Sequence, residues 1–230
     1  MEYFDLHCDT VNKYSEKAVP FKDTALKICK NKIIKRQSQC FALFVSDNLS
    51  EKDANKKREK LFEKYRDLKY IAEKKGITPF LTLENSKGIE DVSLWRKRGV
   101  VMASLTWNNE NELACGSACQ KGGLKDRGKK IIYEFEKNNI LLDVSHLNFQ
   151  SFYDVCSFTD KPIVASHSNC FSLCKHNRNL KDEQIKEIIK RGGLIGLCFY
   201  PLFLGRGDVF ENIYRNICHI GAMGGENVIC

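Results

Sequence analysis

The sequence predicts an α/β fold, a (β/α)8 TIM barrel, on three observations. Short apolar runs alternate with longer amphipathic stretches along the whole chain. Several runs, such as Ile140-Leu-Leu-Asp-Val144 and Gly193-Leu-Ile-Gly-Leu-Cys-Phe199, are nearly continuous in apolar residues, as strands buried on both faces must be. Histidines and carboxylates gather where the runs end, and barrels keep their functional groups at that end of their strands. An open doubly wound sheet is the alternative arrangement of the same elements.

The first strand signal, residues 3–7, leads into His7-Cys-Asp9, and the second covers 40–45. Between residues 51 and 75 the apolar positions Leu61, Phe62, Tyr65, Leu68, Ile71 and Ala72 recur at steps of three and four, which marks an amphipathic helix. Ten basic and six acidic residues share that stretch, and such mixing of signs belongs to a solvated helix face rather than to a nucleic-acid patch. Strand signals at 78–83 and 100–106 follow, then a helix over 124–137 and a strand over 140–144. A helix over 148–158, a strand over 162–166 and a helix over 181–191 come next. Gly192 and Gly193 stand where the cap of that last helix belongs. A strand at 194–199, a helix at 208–223 and a final apolar run from Asn227 to Cys230 complete the series of eight strand signals.

No repeat, low-complexity tract or linker divides the chain, so all 230 residues are read as one barrel domain. Hydrophobic residues at 43% and charged residues at 29% exclude a disordered or fibrous chain. The longest apolar run, residues 194–204, is broken by Pro201 and falls short of the ~20 residues a spanning helix needs, so no membrane association is expected. Met1 leads directly into Glu2 and Asp5 without a basic start or an apolar stretch, which points to the cytoplasm. Eleven cysteines, with the pairs Cys115/Cys119 and Cys170/Cys174 separated by three residues, fit neither a disulfide framework nor a four-thiolate zinc site. Reduced thiols are expected.

Placing the ionisable residues on this framework yields a candidate site. His7 and Asp9, two apart, face the same way on a strand. Glu84 ends the third run, His146 the fifth and His167 the sixth, so three of the five histidines stand at strand ends with two carboxylates. Five nitrogen and oxygen ligands exceed the needs of one tetrahedral zinc and suit two metal ions bridged by a carboxylate. Arg178 lies eleven residues after His167, where its guanidinium fork suits a substrate carboxylate; a plain surface arginine fits the same position. His176 is expected to be exposed on its loop, His219 to sit on a helix surface, Asp143 to be structural and Asp5 to support His7 from behind.

These residues bring a family into view. The segments Phe4-Asp-Leu-His-Cys-Asp9, Leu81-Thr-Leu-Glu84, Leu105-Thr-Trp-Asn108, Asp143-Val-Ser-His146, Ser166-His-Ser168 and Asn177-Arg-Asn179 resemble the membrane (renal) dipeptidase family, zinc dipeptidases of the amidohydrolase-like barrel type. The likeness covers nearly the whole chain. It implies two Zn2+ ions, one on His7 and Asp9, one on His146 and His167, with Glu84 bridging both and belonging to the catalytic set. It also implies that Arg178 holds the substrate carboxylate, and that dipeptides are hydrolysed by a zinc-activated hydroxide. A homodimer is left open, and no nucleic-acid partner is implied.

Two departures accompany the likeness. Animal members carry a substrate-contacting His after the fourth strand where Trp107 stands here, as in bacterial members. The family also places an Asp that handles the catalytic proton in a Gly-Ser-Asp-Phe-Asp-Gly-like segment of the eighth strand, whereas this sequence ends at Asn227-Val-Ile-Cys230, before such a segment. The expectation is therefore a barrel truncated at its eighth strand, with open edges, poor stability and weak activity on its own. Two readings from other classes stand beside it: a TatD-type metal-dependent nuclease, which would usually open with His-x-His rather than His7-x-Asp9, and a non-catalytic metal-binding protein.

Overall fold

Seven parallel strands, paired in sequence order, form one sheet in the protein, seen here in a computed structural model that describes residues 2–17 and 34–230. They are β1 (Glu2–Cys8), β2 (Arg36–Phe44), β3 (Ile77–Glu84), β4 (Val100–Ser104), β5 (Leu141–Asp143), β6 (Ile163–Ala165) and β7 (Leu194–Ile195). The helices between them are α1 (Thr10–Lys17), α2 (Glu51–Lys74), α3 (Val92–Lys97), α4 (Asp126–Lys137), α5 (Phe149–Phe158), α6 (Asp182–Lys190), α7 (Pro201–Leu204) and α8 (Val209–Gly221). The sheet curls far enough that Leu6 of β1, Cys40 of β2, Met102 of β4 and Val164 of β6 pack into one interior cluster, which a flat sheet would forbid. A larger core lies between the outer face of the strands and the helices.

Seven of the eight predicted strands are present, but the last three are shorter than their apolar runs. β5 ends at Asp143, β6 at Ala165 and β7 at Ile195, where the runs continue to 144, 166 and 199. Past each end the backbone turns away from the ladder while still bonding across it: Val144 N donates to Val164 O at 2.7 Å, and Ser168 N to Gly196 O at 2.8 Å. A side chain at Gly196 would place its Cβ 2.0 Å from Ser166 O, so only glycine permits this close approach. Residues 228–230 lie beside β7, with Ile195 N donating to Val228 O and Cys230 N to Ile195 O, both at 2.8 Å, and Ile229 bridging Ile195 in parallel. The final apolar run thus occupies the eighth strand position.

The helices α1, α3 and α7 are additions to the sequence reading. At four to eight residues they are too short for a periodic signal. Local chemistry starts them: Asp91 caps α3 by accepting from Leu94 N at 2.8 Å, and Pro201 opens α7.

The long helix α2 buries Ala54, Arg58, Leu61, Tyr65, Leu68 and Ala72 at steps of four and three, and Ser50 caps it by accepting from Asp53 N. Arg58 breaks the expectation that the basic residues of this stretch are solvated, because it is fully buried. Its guanidinium donates to Asn85 O at 3.1 Å, Lys87 O at 2.9 Å and Asn55 Oδ1 at 2.5 Å, and lies 5.9 Å from the Trp95 ring. It pins the loop that leaves β3 immediately after Glu84. Replacing Arg58 with Met keeps the apolar stem but orphans two buried carbonyls, and is expected to cost about 2–4 kcal/mol of stability. Urea unfolding of the two proteins measures that difference.

Candidate metal centre

All five predicted ligands converge at the C-terminal ends of the strands. Glu84, the last residue of β3, is the hub. Its Oε2 lies 3.5 Å from His7 Nε2, and its Oε1 lies 2.9 Å from His146 Nε2 and 3.9 Å from His167 Nε2. Asp9 Oδ1 is 3.5 Å from His7 Nε2 on the outer side. The two oxygens of one carboxylate thus face two different sets of imidazoles. His7, Glu84 and His167 each bring a ligand atom within 4.8 Å of one another. His7 and His167 lie ring to ring at 4.0 Å.

Backbone geometry aims these groups. His146 adopts φ +72° and Asn85, next to Glu84, φ +67°, left-handed conformations that non-glycine residues rarely take. The strain of order 1 kcal/mol or more at each is held by specific bonds. Ser117 N donates to His146 O at 2.7 Å, and the Asn85 side chain donates to Val45 O and Asp47 Oδ1, both at 3.0 Å. The turn at His146 explains why counting by twos from β5 does not describe it: the residue lies beyond the strand end.

The imidazole tautomers test whether a cation fits. His146 Nδ1 is 2.9 Å from Asn108 Oδ1, which only accepts, so Nδ1 carries the proton and Nε2 is a bare lone pair. His167 Nδ1 is 2.7 Å from Ser166 Oγ. Ser166 donates its own hydroxyl hydrogen to Asp143 Oδ2 at 2.5 Å, so His167 Nδ1 donates and its Nε2 is bare as well. The two Nε2 atoms face each other at 2.8 Å without a hydrogen between them. Two lone pairs and a carboxylate oxygen aimed at one point are a donor set for zinc, which takes nitrogen and oxygen ligands. The residues present fit a metal.

Electrostatics agree. Burial, seconded by the Arg178 charge, holds His146 well below the ordinary imidazole pKa; burial, then His7 and Arg178, does the same for His167. Both are therefore neutral, the state a ligand needs. Burial lifts the Glu84 carboxyl to about 7 against the pull of His7. At His7 burial opposes the charge, but Glu84 and then Asp9 outweigh it and raise the imidazole to about 9. In the metal-free protein a proton on His7 supplies the cation that the cluster of carboxylates demands.

A cavity of about 810 Å³ opens over this cluster, with Phe44, Trp107, Arg178, Cys198 and Tyr200 among its walls. Arg178 is no surface residue: it is 5% exposed, Nη2 donates to His167 O at 3.4 Å, and Nε is buried without a partner. His176, expected to be exposed, is half-buried because it braces this loop, its Nδ1 accepting from Arg178 N at 3.1 Å and its ring lying 4.5 Å from that of Phe203. His219 of α8 pairs with Asp182 of α6 at 2.9 Å, a packing role between two helices. Asp5 supports His7 through the backbone rather than the ring, accepting from His7 N at 3.0 Å and Gln39 Nε2 at 2.8 Å. Trp107 stands 6.4 Å from the His146 ring, at the position the sequence reading gives it. Asn108 and Ser166, which set the tautomers, were not singled out from sequence; polar residues beside ligand-bearing strand ends are the signal that marks them.

Fold and site together define a barrel of the metallohydrolase type, with paired histidine sets around a strand-end carboxylate. The sequence profile of the membrane dipeptidase family (Peptidase family M19) matches residues 45–230, and the chain belongs to that family. This sets aside the nuclease alternative. The chain is 31% identical over 111 residues to an uncharacterised dipeptidase of Schizosaccharomyces pombe, covering 46% of this chain and 27% of that one. It is 31% identical over 118 residues to dipeptidase aclJ of Aspergillus oryzae, covering 50% and 28%. An uncharacterised protein of Klebsiella pneumoniae is 30% identical over 180 residues, covering 70% and 66%. The chain thus spans from about a quarter to two thirds of the length of these curated relatives. Its fold is that of dipeptidase AC, a metallopeptidase, at a TM-score of 0.83 and 19% identity over 99% of this chain and 82% of that one. A metallopeptidase of Rhodobacter sphaeroides, solved with a phosphinate mimic of the dipeptide L-Ala-D-Ala, gives 0.79 at 19% identity, over 100% and 84%.

The proton inventory predicts how metal binding depends on pH. Below about pH 7 a metal must displace protons from both Glu84 and His7; between about 7 and 9 it displaces only the one on His7. Each displaced proton makes affinity rise by roughly tenfold per pH unit, so zinc affinity climbs steeply below 7, less steeply up to 9, and then levels. Chelator-competition titrations on both sides of pH 7 would show this break in slope.

Proposed function

We propose that this protein hydrolyses dipeptides at a binuclear zinc centre built on His7, Asp9, Glu84, His146 and His167. The observation that carries the reading is Glu84, whose two buried oxygens face His7 on one side and the His146–His167 pair on the other. Family membership and the dipeptide mimic in the Rhodobacter sphaeroides protein support it. His7, Asp9 and Glu84 Oε2 would hold one ion, and His146, His167 and Glu84 Oε1 the other. When bound, zinc supplies a water acidified toward neutral pH and a Lewis acid for the peptide carbonyl.

The chain's own residues do the rest. Arg178 lines the cavity wall, and its guanidinium would pair with a substrate C-terminal carboxylate through charge-assisted bonds. Anchoring that end fixes the distance from carboxylate to scissile bond at one residue, which restricts substrates to very short peptides. Phe44 and Trp107, whose rings meet edge to face at 5.0 Å, form an apolar wall that excludes water beside His146. With both oxygens directed at histidines, Glu84 orders the centre and leaves proton transfer to another group. The cytoplasm is part of the same proposal, supported by ten free cysteines among the described residues. No helix among the described residues is long and apolar enough to cross a membrane.

Dipeptide hydrolysis by the full-length protein tests the reading. The free dipeptide is expected to be cleaved and its C-terminal amide poorly. Arg178→Met is expected to raise KM for the free dipeptide roughly a hundredfold, the loss of a charged hydrogen bond pair, with little effect on the amide. Equal cleavage of dipeptide and amide by the unsubstituted protein would remove the role of Arg178. Zinc uptake without cleavage of any dipeptide would leave a metal-binding protein that is not a peptidase.

A further inference from the structure

Asp143 has no place in the ligand set, yet it is buried beneath it, 5% exposed, and its bonds are arranged with a definite polarity. Oδ1 accepts from two backbone amides, Ser145 N at 2.9 Å and Ser166 N at 3.0 Å. Oδ2 accepts from the Ser166 hydroxyl at 2.5 Å. Ser166 Oγ, its hydrogen committed to Asp143, is left as the acceptor facing His167 Nδ1 at 2.7 Å. The next hydroxyl, Ser145 Oγ, is 3.4 Å from Ser166 Oγ and is occupied by the His167 amide at 3.2 Å.

We infer that Asp143 and Ser166 form a positioning relay across β5 and β6, which selects the Nδ1–H form of His167 and keeps its Nε2 bare toward Glu84. The inference rests on the metal-centre reading for its purpose, but not for its geometry. It assigns a role at the site to a residue whose direction along β5 marks it as structural. Asp143 touches neither the ligand atoms nor the cavity; it acts through Ser166.

The polarity yields a specific consequence. In Asp143→Asn, the two backbone amides require an acceptor at the Oδ1 position, so the amide oxygen takes that place and the NH2 takes the place of Oδ2. The NH2 then donates to Ser166 Oγ, whose hydrogen is turned toward His167 Nδ1. That nitrogen becomes the acceptor, and the proton of the neutral ring moves to Nε2. A substitution of almost identical shape therefore inverts the tautomer and blocks the ligand lone pair. Ser166→Ala removes the selection without inverting it, and Ser166→Thr keeps the hydroxyl and restores it.

Nitrogen NMR of the metal-free full-length protein with labelled histidine reads the tautomer directly. His167 is expected as Nδ1–H in the unsubstituted protein and in Ser166→Thr, as Nε2–H in Asp143→Asn, and as a mixture in Ser166→Ala. Zinc titration against a competing chelator is expected to show one of two equivalents weakened about 10–100-fold in Asp143→Asn and Ser166→Ala, with Ser166→Thr unchanged. A purely structural Asp143 would lower the melting temperature and leave the tautomer and both zinc equivalents as they were, and that result overturns the relay. If Asp143→Asn does not fold, the Ser166→Ala and Ser166→Thr pair decides: unaltered Nδ1–H in Ser166→Ala overturns it equally. Should the unsubstituted protein bind no zinc while the tautomer shifts as described, the metal-centre reading fails and the relay stands.

Discussion

A carboxylate buried at the end of β3, with one oxygen turned to each of two histidine sets, sets the terms for the rest of this molecule. Glu84 is almost inaccessible, and burial raises its pKa to about 7 because a charge there is poorly solvated. Such a group persists only if a cation accompanies it. In the bare protein that cation is the proton on His7; the geometry around it is suited to metal instead, because His146 and His167 present lone pairs rather than hydrogens. The cluster is thus arranged for a charge that the polypeptide itself supplies only in part.

Holding that arrangement falls to residues well outside it. Asn85 follows Glu84 in a left-handed turn, and its side chain bonds Val45 O, Asp47 and, through its oxygen, Asn111. Arg58 reaches the same turn from α2 and donates to the carbonyls of Asn85 and Lys87. Desolvation lowers the Arg58 guanidinium to about 10, which still leaves it charged at neutral pH. A chain of buried polar bonds therefore runs from the outer helix layer to the turn after Glu84. Most of its polar atoms find partners in backbone groups that the irregular turn leaves unpaired or in neighbouring side chains, which is why buried polarity can be tolerated there, although Arg58 Nε has none.

The sequence discloses the frame because burial on both faces of the strands writes itself as apolar runs, and it points to the five candidate ligands, which the fold brings together, because each follows such a run. It discloses less where the chain departs from periodicity. β5 and β6 are three residues long, and His146 reaches the site through a positive φ that no alternation rule describes. Arg58 is a cation in a stretch of ten, and only the register of α2 distinguishes the buried one. Asn108 and Ser166 are common polar residues whose importance lies in which atom they turn toward a ring, a property of three-dimensional contact alone. His176 reads as exposed because loops usually are, and is half-buried because it braces Arg178.

Arg178 completes the electrostatic logic. A guanidinium buried near neutral histidines adds to burial, the larger cause, in keeping His146 and His167 unprotonated, while Glu84 and Asp9 outweigh burial at His7 and leave it able to hold a charge. The same group has an unpaired Nε, and an unpaired buried donor is costly until something accepts from it. An anionic ligand in the cavity would neutralise the guanidinium and weaken its share of that field, while burial, the larger cause, still keeps the two histidines unprotonated. Metal already bound to their lone pairs would make that loss harmless.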